Sequence, residues 1–403
     1  MGSDETIPII SGCEIETVKV GCCLENGAVM ALTLRDCGLS ALPDSLGSLR
    51  TLQRLDLSEN RISVLPDSLG RLSSLKKLFL ADNQLESLPD SIADLASLEE
   101  LRLERNRFMV FPAGLEWLVK LTDLSLYANQ VVSVPASLGG LEALEILNLD
   151  HNRLTVLPDS LGKLVNLRKL IAGENTLASL PEVIGNLAHL EMLDLGHNAL
   201  VSLPESLGSL EKLEFIYLSN NDLTSLPDSF KGLKSLLYLN VTDNALPAFP
   251  GVISSLHSLK ELRLYNNPLG RLPESIGKLA NLVELHLMND RLESLPDALG
   301  NLAALKKLAL NDNRLASLPD SIGRLANLNL LDLRNNRLES LPDSISALDN
   351  LTFLDLRSNR LRSLPAGLAS LPRLEKLDLR WNPLSSYPDW LSSLRQHGCL
   401  VYV

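Results

Sequence analysis

Apolar residues recur along this chain in a 23-residue pattern, which residues 308–330 (LALNDNRLASLPDSIGRLANLNL) represent well. Two alternating leucines come first, an asparagine follows three residues after the second leucine, and a proline begins a leucine-spaced second half. Alternation with a period of two predicts a short β-strand whose leucines point to one side. The proline fixes φ for a tight turn or a first helical turn. One unit cannot bury its own apolar side, so the pattern predicts a stack of units around one elongated core.

The register of this pattern holds along the chain. The amide position steps by 23 residues from Cys37 to Asn382, which gives sixteen units in which only Cys37 and Asp290 replace asparagine. Before the repeats, Asn26-Gly27 predicts a hairpin turn between the alternating residues 14–20 and a strand over residues 29–34. We predict one domain with four parts: a flexible N-terminus (1–12), a capping hairpin (13–28), sixteen repeats (29–384) and a C-terminal capping half-repeat (385–403) that ends in a strand at residues 400–402.

The repeat, written LxxLxLxxNxLxxLPxSLGxLxx, resembles the leucine-rich repeat family and in particular its 23-residue Ras-group type. The resemblance covers residues 29–403. It implies an α/β solenoid shaped as a curved horseshoe, with a parallel β-sheet on the concave face and short α or 3-10 segments on the convex face. It also implies an intracellular protein that binds signalling proteins, such as small GTPases or phosphatases.

The asparagine column is predicted to be structural. An amide both donates and accepts hydrogen bonds, so it can satisfy backbone groups at the bend between neighbouring units. Asp290 breaks the column, because an ionised carboxylate cannot donate. Either a water or the neighbouring Asn289 compensates, or this turn is locally loose.

Composition and charge narrow the function. Hydrophobic residues make up 45% of the chain and aromatic residues only 4%, which predicts a folded protein with a leucine-dominated core. A net charge of −12 disfavours nucleic acid as a partner, because phosphate contacts need clustered Lys and Arg. No apolar run reaches membrane-spanning length and no signal peptide is recognisable, so we expect a cytoplasmic protein without membrane contact.

The five cysteines are Cys13, Cys22, Cys23, Cys37 and Cys399. Their odd number and the unrecognised signal peptide favour reduced thiols over a disulfide framework. A bridge from Cys13 to Cys22 or to Cys23 stays open as an alternative.

Residues that point outward from the strands are free to encode a binding site, since the inward positions are fixed by folding. In the middle of the chain these outward residues become large and aromatic, as in the cores of protein interfaces. The alternative is that neighbouring aromatic rings only stack across strands and stabilise the sheet. The predicted partner-binding residues are Tyr127, Ile146, Ile171, Met192, Phe215, Tyr217, Tyr238, Arg263, Tyr265, His286 and Met288.

Two further sets of polar residues repeat from unit to unit. Asp332, Asp355 and Asp378 alternate with Arg334, Arg357 and Arg380, which favours a solvated salt-bridge face over a charged docking strip. His151, Glu174 and His197 share one repeat position, but an exposed rim with histidines nearly 10 Å apart by strand spacing disfavours a metal site.

No nucleophile, phosphate-binding or zinc-protease motif is present in the sequence, so we expect neither an enzyme nor a cofactor or metal. The favoured function is a non-enzymatic scaffold, monomeric or weakly homodimeric, that binds a protein partner on its concave face in intracellular signalling. The alternative is a bacterial host-targeting protein, secreted or translocated by a non-classical route. An enzyme with the rim histidines as its metal centre is the least favoured hypothesis.

Overall fold

The computed structural model describes residues 7–10 and 18–403 of the chain. Most of the predicted N-terminus, Cys13 and the first part of the predicted hairpin therefore lie outside the described residues. The chain divides into two compact units, Met1–Ala199 and Leu200–Val403, which are described separately below.

The first unit is a sheet of short strands. A hairpin of two antiparallel strands turns at Asn26 and Gly27, whose φ values of 50° and 79° fit the predicted Asn-Gly turn. Ile10 donates a 2.8 Å backbone hydrogen bond to Cys22, so residues 7–10 extend the pairing of this hairpin. From the second strand onward, neighbours pair in parallel at a fixed 23-residue offset. The strands are β1 (Val20–Glu25), β2 (Ala28–Leu34), β3 (Arg54–Asp56), β4 (Lys77–Phe79), β5 (Glu100–Arg102), β6 (Asp123–Ser125), β7 (Ile146–Asn148), β8 (Lys169–Ile171) and β9 (Met192–Asp194).

The second unit continues the same plan. Its strands pair in parallel with the same offset up to the last pair, where the offset is 24 residues. A short α-helix precedes the last strand, which forms at residues 400–402 as the sequence predicts. The strands are β10 (Phe215–Tyr217), β11 (Tyr238–Asn240), β12 (Glu261–Arg263), β13 (Glu284–His286), β14 (Lys307–Ala309), β15 (Leu330–Asp332), β16 (Phe353–Asp355), β17 (Lys376–Asp378) and β18 (Leu400–Tyr402), and the helix is α1 (Trp390–Gln396).

The second half of each repeat forms a 3-10 turn instead of an α-helix, except in the last repeat, which carries α1. A proline in extended conformation generally precedes the turn, and a five-residue segment is too short to gain from i→i−4 hydrogen bonding. These turns are Asp44–Ser48, Asp67–Arg71, Asp90–Asp94, Leu115–Trp117, Ala136–Gly140, Asp159–Lys163 and Glu182–Asn186 in the first unit, and Glu205–Ser209, Asp228–Gly232, Gly251–Ser255, Glu274–Lys278, Asp297–Asn301, Asp320–Arg324, Asp343–Ala347 and Ala366–Ser370 in the second.

The core of each unit is aliphatic, as predicted. Leu308, Leu310 and Leu315 of the reference repeat have 0% exposure, and so do their equivalents in most other repeats. Each fully buried leucine side chain contributes about 1.5–3 kcal/mol relative to an exposed one. The parallel sheet and the buried leucine columns confirm the predicted fold class, a leucine-rich repeat solenoid.

The asparagine column stabilises the bend after each strand. Asn313 accepts hydrogen bonds from the backbone nitrogens of Leu292 (2.9 Å) and Asp290 (3.0 Å) in the preceding repeat. Its Nδ2 donates to the carbonyl oxygens of Leu287 (2.7 Å) and Leu310 (3.0 Å). Both halves of the amide are used, which confirms the structural interpretation of this column.

Asp290 forms only part of this network. Its Oδ1 accepts a 2.9 Å hydrogen bond from the backbone nitrogen of Asn267, but its buried Oδ2 has no hydrogen-bond partner among the described residues. Asn289 does not compensate, because its Nδ2 donates to Asn266 instead. Burial raises the Asp290 pKa to about 8, since the ionised carboxylate is poorly solvated there.

The cysteines differ from the expectation of reduced thiols at one position. Cys23 is disulfide-bonded, whereas Cys22, Cys37 and Cys399 are not in disulfides. Of the two open alternatives, a bridge at Cys22 is therefore wrong, and Cys13 lies outside the described residues. Among the described residues, no helix is both long and apolar enough to cross a bilayer.

Candidate functional site

The predicted partner-binding residues of the second unit lie on one face of the sheet, because the leucines between them point into the core. Ile216 and Leu239 have 0% exposure, whereas Tyr217 and Tyr238 beside them are half-buried. Of the eleven predicted residues, ten are half-buried and His286 is buried.

Tyrosine rings meet across β10 and β11. The ring centroids of Tyr217 and Tyr238 lie 4.9 Å apart with an interplanar angle of 39°, and the Arg263 guanidinium lies 5.6 Å from the Tyr238 ring centroid. Phe215 pairs in register with Tyr238 on the neighbouring strand. We call Phe215, Tyr217, Tyr238 and Arg263 the tyrosine cluster. Tyr265 lies two residues beyond β12 and Met288 two residues beyond β13.

In the tyrosine cluster, the surroundings of Tyr238 keep its hydroxyl protonated, so that the hydroxyl can donate a hydrogen bond. Burial raises the pKa of Tyr238 to about 12, with Arg263 opposing the shift, so its hydroxyl is protonated at neutral pH. The Arg263 Nε lies 2.6 Å from Glu261 Oε1, which fixes the direction of the guanidinium. Aromatic faces beside an oriented guanidinium are suited to recognition of a protein surface.

His286 is covered by acidic neighbours. Its side chain is 7% exposed, with Nε2 3.0 Å from Glu284 and 3.9 Å from Glu261. Burial lowers the His286 pKa, with the Glu284 hydrogen bond opposing the shift, so the ring is neutral at pH 7. His286 therefore offers little surface to a partner, although it faces outward as predicted.

Among the described residues, Glu261, Glu284 and His286 are also the group best placed to hold a metal ion. One ligand atom from each lies within 4.8 Å of the others. Two cations already neutralise the carboxylates, since Arg263 contacts Glu261 and the Lys307 Nζ lies 3.5 Å from Glu284. A divalent ion would have to displace both of them, so this geometry favours a polar network.

The rim residues His151, Glu174 and His197 do not converge on one point. The His151 Nδ1 lies 3.0 Å from Asp150, whereas the His197 Nδ1 lies 3.5 Å from Glu174. Each histidine thus pairs with a different carboxylate.

In the first unit, Tyr127 lies in different surroundings. Its ring centroid is 5.1 Å from that of His151 and 5.8 Å from the Arg105 guanidinium. Tyr127 and Arg105 line an open pocket of about 430 Å³, together with the stacked pair Arg54 and Phe79. Ile146, Ile171 and Met192 are half-buried on β7, β8 and β9 and lie outside the lining of this pocket.

The repeated Asp and Arg residues form a different surface from the predicted one. Asp355 and Asp378 have side-chain exposures of 1% and 0%, so a solvated salt-bridge face is wrong for these two aspartates. Their partners Arg357 and Arg380 keep 23% and 39% of their side chains in solvent. The sequence shows the alternation, but which charge is covered depends on packing between neighbouring strands.

Comparison with known proteins gives the family. A family model described as "Leucine-rich repeat region" matches residues 112–198, 183–267 and 297–397, and one described as "Leucine rich repeat" matches residues 28–85 and 50–108. A third, described as "Leucine Rich Repeat", matches residues 258–279. A search of curated proteins gave no match.

Solved structures agree with these matches. A leucine-rich repeat protein of Leptospira interrogans is 32% identical with a TM-score of 0.77, and the match covers 92% of this chain and 94% of that chain. The plant peptide hormone receptor RGFR1 in complex with RGF2 is 30% identical with a TM-score of 0.76, over 90% of this chain and 61% of that chain. The Arabidopsis receptor kinase HAESA ectodomain, in complex with an IDA peptide hormone ligand, is 30% identical with a TM-score of 0.68, over 85% of this chain and 60% of that chain.

The chain thus spans about three fifths of these two receptor chains and nearly the whole Leptospira chain. The family models match most of its length and fall on the residues that form the repeated strands and turns. This chain belongs to the leucine-rich repeat family.

Proposed function

We propose that this protein is a non-enzymatic interaction module that binds a protein partner on the outward face of its sheet, at the tyrosine cluster. The observation that carries the proposal is the half-exposed ring pair of Tyr217 and Tyr238, backed by the oriented guanidinium of Arg263. Exposed aromatic and arginine side chains on a fixed scaffold are typical of residues that dominate binding energy. The ring stacking also contributes to the sheet, so the experiment has to separate binding from stability.

Tyr217→Glu combined with Tyr238→Glu tests this site. We expect the double variant to lose its partner in affinity capture from native lysate, because two carboxylates replace the aromatic contact surface, while its melting temperature stays near that of the wild type. Val64→Glu with Val156→Glu is the matched control, since these valines are 72% and 54% exposed and occupy one repeat position away from the strands. Unchanged capture by the tyrosine variant, or equal loss by both variants, would contradict the proposal.

We further infer a Ras-group repeat type and a role in intracellular signalling, with a small GTPase or a phosphatase as the partner. The 23-residue unit and its LPxSLGxL half support this subtype. In the same proposal, Tyr127, Ile146, Ile171, Met192, Tyr265 and Met288 widen the binding surface beyond the tyrosine cluster.

The second candidate function is that of a bacterial leucine-rich repeat protein exported to act on a host. Two observations favour it: the 32% identity to the Leptospira protein and the disulfide at Cys23, since disulfides persist in oxidising compartments. Separate assays of culture medium and cytosol, with the thiol state of Cys23 measured in each, distinguish the two candidates. A cytosolic protein with reduced Cys23 would exclude export.

A further inference from the structure

We propose that the last strands carry a second binding site, which takes an acidic, extended peptide segment of a protein partner. The site consists of Arg334, Arg357 and Arg380, which we call the arginine column. It lies on β15–β17 and the residues that follow them, several strands away from the tyrosine cluster. It is therefore independent of the function proposed above.

Buried aspartates hold the guanidinium groups of Arg357 and Arg380 in one orientation, whereas the Arg334 Nε lies 3.9 Å from Asp332. The Arg357 Nε lies 2.9 Å from Asp355 Oδ1, and its Nη2 lies 2.5 Å from Oδ2. Arg380 repeats the arrangement with Asp378, at 2.9 Å and 2.6 Å. A guanidinium has five N–H donors, and this contact uses the Nε and Nη2 side. Both hydrogens on Nη1 face away from the aspartate and are available to a ligand.

A ligand reaching this surface meets the arginines first. Asp355 and Asp378 are almost completely covered and the Asp332 side chain is 18% exposed. Arg334, Arg357 and Arg380 expose 42%, 23% and 39% of their side chains. Asp355 and Asp378 thus act as positioning residues beneath a layer of cations. Pre-oriented donors lose less entropy on binding than free arginine side chains do.

The strand register fixes the spacing of the column. Asp332, Asp355 and Asp378 pair directly across β15, β16 and β17, and each arginine follows its aspartate by two residues. Successive guanidinium groups therefore start from backbone positions about 4.8 Å apart. The acidic side chains of one extended segment crossing the strands can reach successive guanidiniums at this spacing, and a carboxylate matches the planar fork of each.

Aromatic rings border the column. The Arg380 guanidinium lies 5.1 Å from the Tyr402 ring centroid and 5.4 Å from that of Trp381, which is 70% exposed. The Lys376 Nζ lies 4.9 Å from the ring centroid of Phe353. These rings offer contacts to apolar residues between the acids of a peptide.

Charge balance favours a short acidic segment over a long polyanion. The site contains four cations, Arg334, Arg357, Arg380 and Lys376, and three carboxylates, Asp332, Asp355 and Asp378. Its local net charge is therefore +1. The whole chain carries −12 and repels an extended phosphate backbone. Oriented hydrogen bonds and apolar contacts, more than bulk charge, therefore have to select the ligand.

Fluorescence anisotropy with a labelled peptide of alternating glutamate and phenylalanine, blocked at both ends, tests the site. Arg357→Lys with Arg380→Lys keeps the charge and the ion pairs to the aspartates but loses the planar fork. We expect binding of the wild type, at least about tenfold weaker binding of this variant, and no change for Arg107→Lys with Arg153→Lys, two exposed arginines elsewhere. Equal affinities for all three proteins, or no binding by the wild type, would overturn the proposal.

Further arms separate other ligands and sites. The glutamine analogue of the peptide should not bind, and binding as tight as that of the glutamate peptide would show that carboxylates are not recognised. A single-stranded oligonucleotide that binds more tightly than the peptide, or a requirement for a free C-terminal carboxylate, would replace the proposed ligand by another. Retained peptide binding by the Tyr217→Glu/Tyr238→Glu variant is expected, and its loss would contradict a separate site.

Discussion

Residue 290 occupies a position where the repeat requires an amide. A carboxylate can accept the hydrogen bond from Asn267, but it has no donor, whereas the amide of Asn313 donates to two carbonyl oxygens. With its pKa raised to about 8, the buried Asp290 stays protonated at neutral pH and so avoids a buried charge. A protonated carboxyl group replaces the amide only in part, because the buried Asp290 Oδ2 has no hydrogen-bond partner among the described residues.

This substitution makes the stability of the second unit depend on pH. The unfolded chain loses the Asp290 proton near the ordinary aspartate pKa of 3.8, whereas the folded chain keeps it until about 8. The contribution of Asp290 is therefore fully present below pH 4 and is lost as pH rises through 8. At pH 9 we expect Asp290→Asn to unfold at a higher urea concentration than the wild type, with a free energy of unfolding that is larger by on the order of a few kcal/mol. At pH 5 this difference should be smaller.

Urea titrations at the two pH values check this prediction. Asp312→Asn is the matched control, because Asp312 belongs to the next repeat and is exposed. A pH dependence that is the same in the wild type, Asp290→Asn and Asp312→Asn would show that Asp290 ionises normally.

Residues also differ in how far their burial could be predicted from sequence. The inward leucines and the asparagine column depend on one 23-residue unit, so the pattern identifies them directly. The burial of His286 depends on Glu261 in the neighbouring repeat, and that of Asp378 depends on Arg357 in the neighbouring repeat. A sequence pattern shows that such residues point outward. It does not show which of two outward side chains on neighbouring strands covers the other.

At the scale of elements, the 3-10 turns determine how closely neighbouring repeats approach each other. A Cβ atom on Gly208 would lie 2.2 Å from the carbonyl oxygen and 2.5 Å from the Cβ of Ser229 in the next turn. The glycine of the SLG motif is thus required by a backbone contact. The strands and the hairpin could be predicted from alternation and Asn-Gly, but this contact involves two units and leaves only a conspicuous glycine in the sequence.

Gly208→Ala should destabilise the second unit. The neighbouring turn must shift to relieve the overlap, and overpacking of this kind costs about 1–3 kcal/mol. Gly251→Ala is the matched control, because it also lies in a 3-10 turn but a Cβ there would have no atom within 4 Å. Denaturant midpoints of both variants measure the difference, and equal midpoints would mean that the turns are loosely packed.

At the scale of the whole molecule, the fixed 23-residue step makes one repeat structurally equivalent to another. Stability in a repeat protein is close to a sum of intrinsic unit terms and nearest-neighbour contacts. In the reference repeat, Lys307, Ala309 and Asn311 are the outward residues, and none belongs to the tyrosine cluster or the arginine column. Folding information is thus spread over all units, whereas the proposed binding information is concentrated in a few.

Removal of one whole period separates these two kinds of information. Deletion of residues 308–330 joins Lys307 to Leu331, and deletion of residues 216–238 joins Phe215 to Leu239, so both keep the leucine register. We expect both shortened chains to keep the circular dichroism spectrum and cooperative unfolding of the parent, because each new interface joins equivalent surfaces. Only the second deletion removes Tyr217 and Tyr238, so only this chain should lose the partner in affinity capture.

The two deletions serve as each other's control, since they are equal in length and cut the repeat at the same position. If both chains fold and both keep the partner, the binding energy lies outside the tyrosine cluster. If the chain lacking residues 308–330 also loses the partner, binding needs a continuous surface longer than one cluster, because excision moves the outward residues on its two sides one strand closer together. The spacing of the units would then be part of the recognition site.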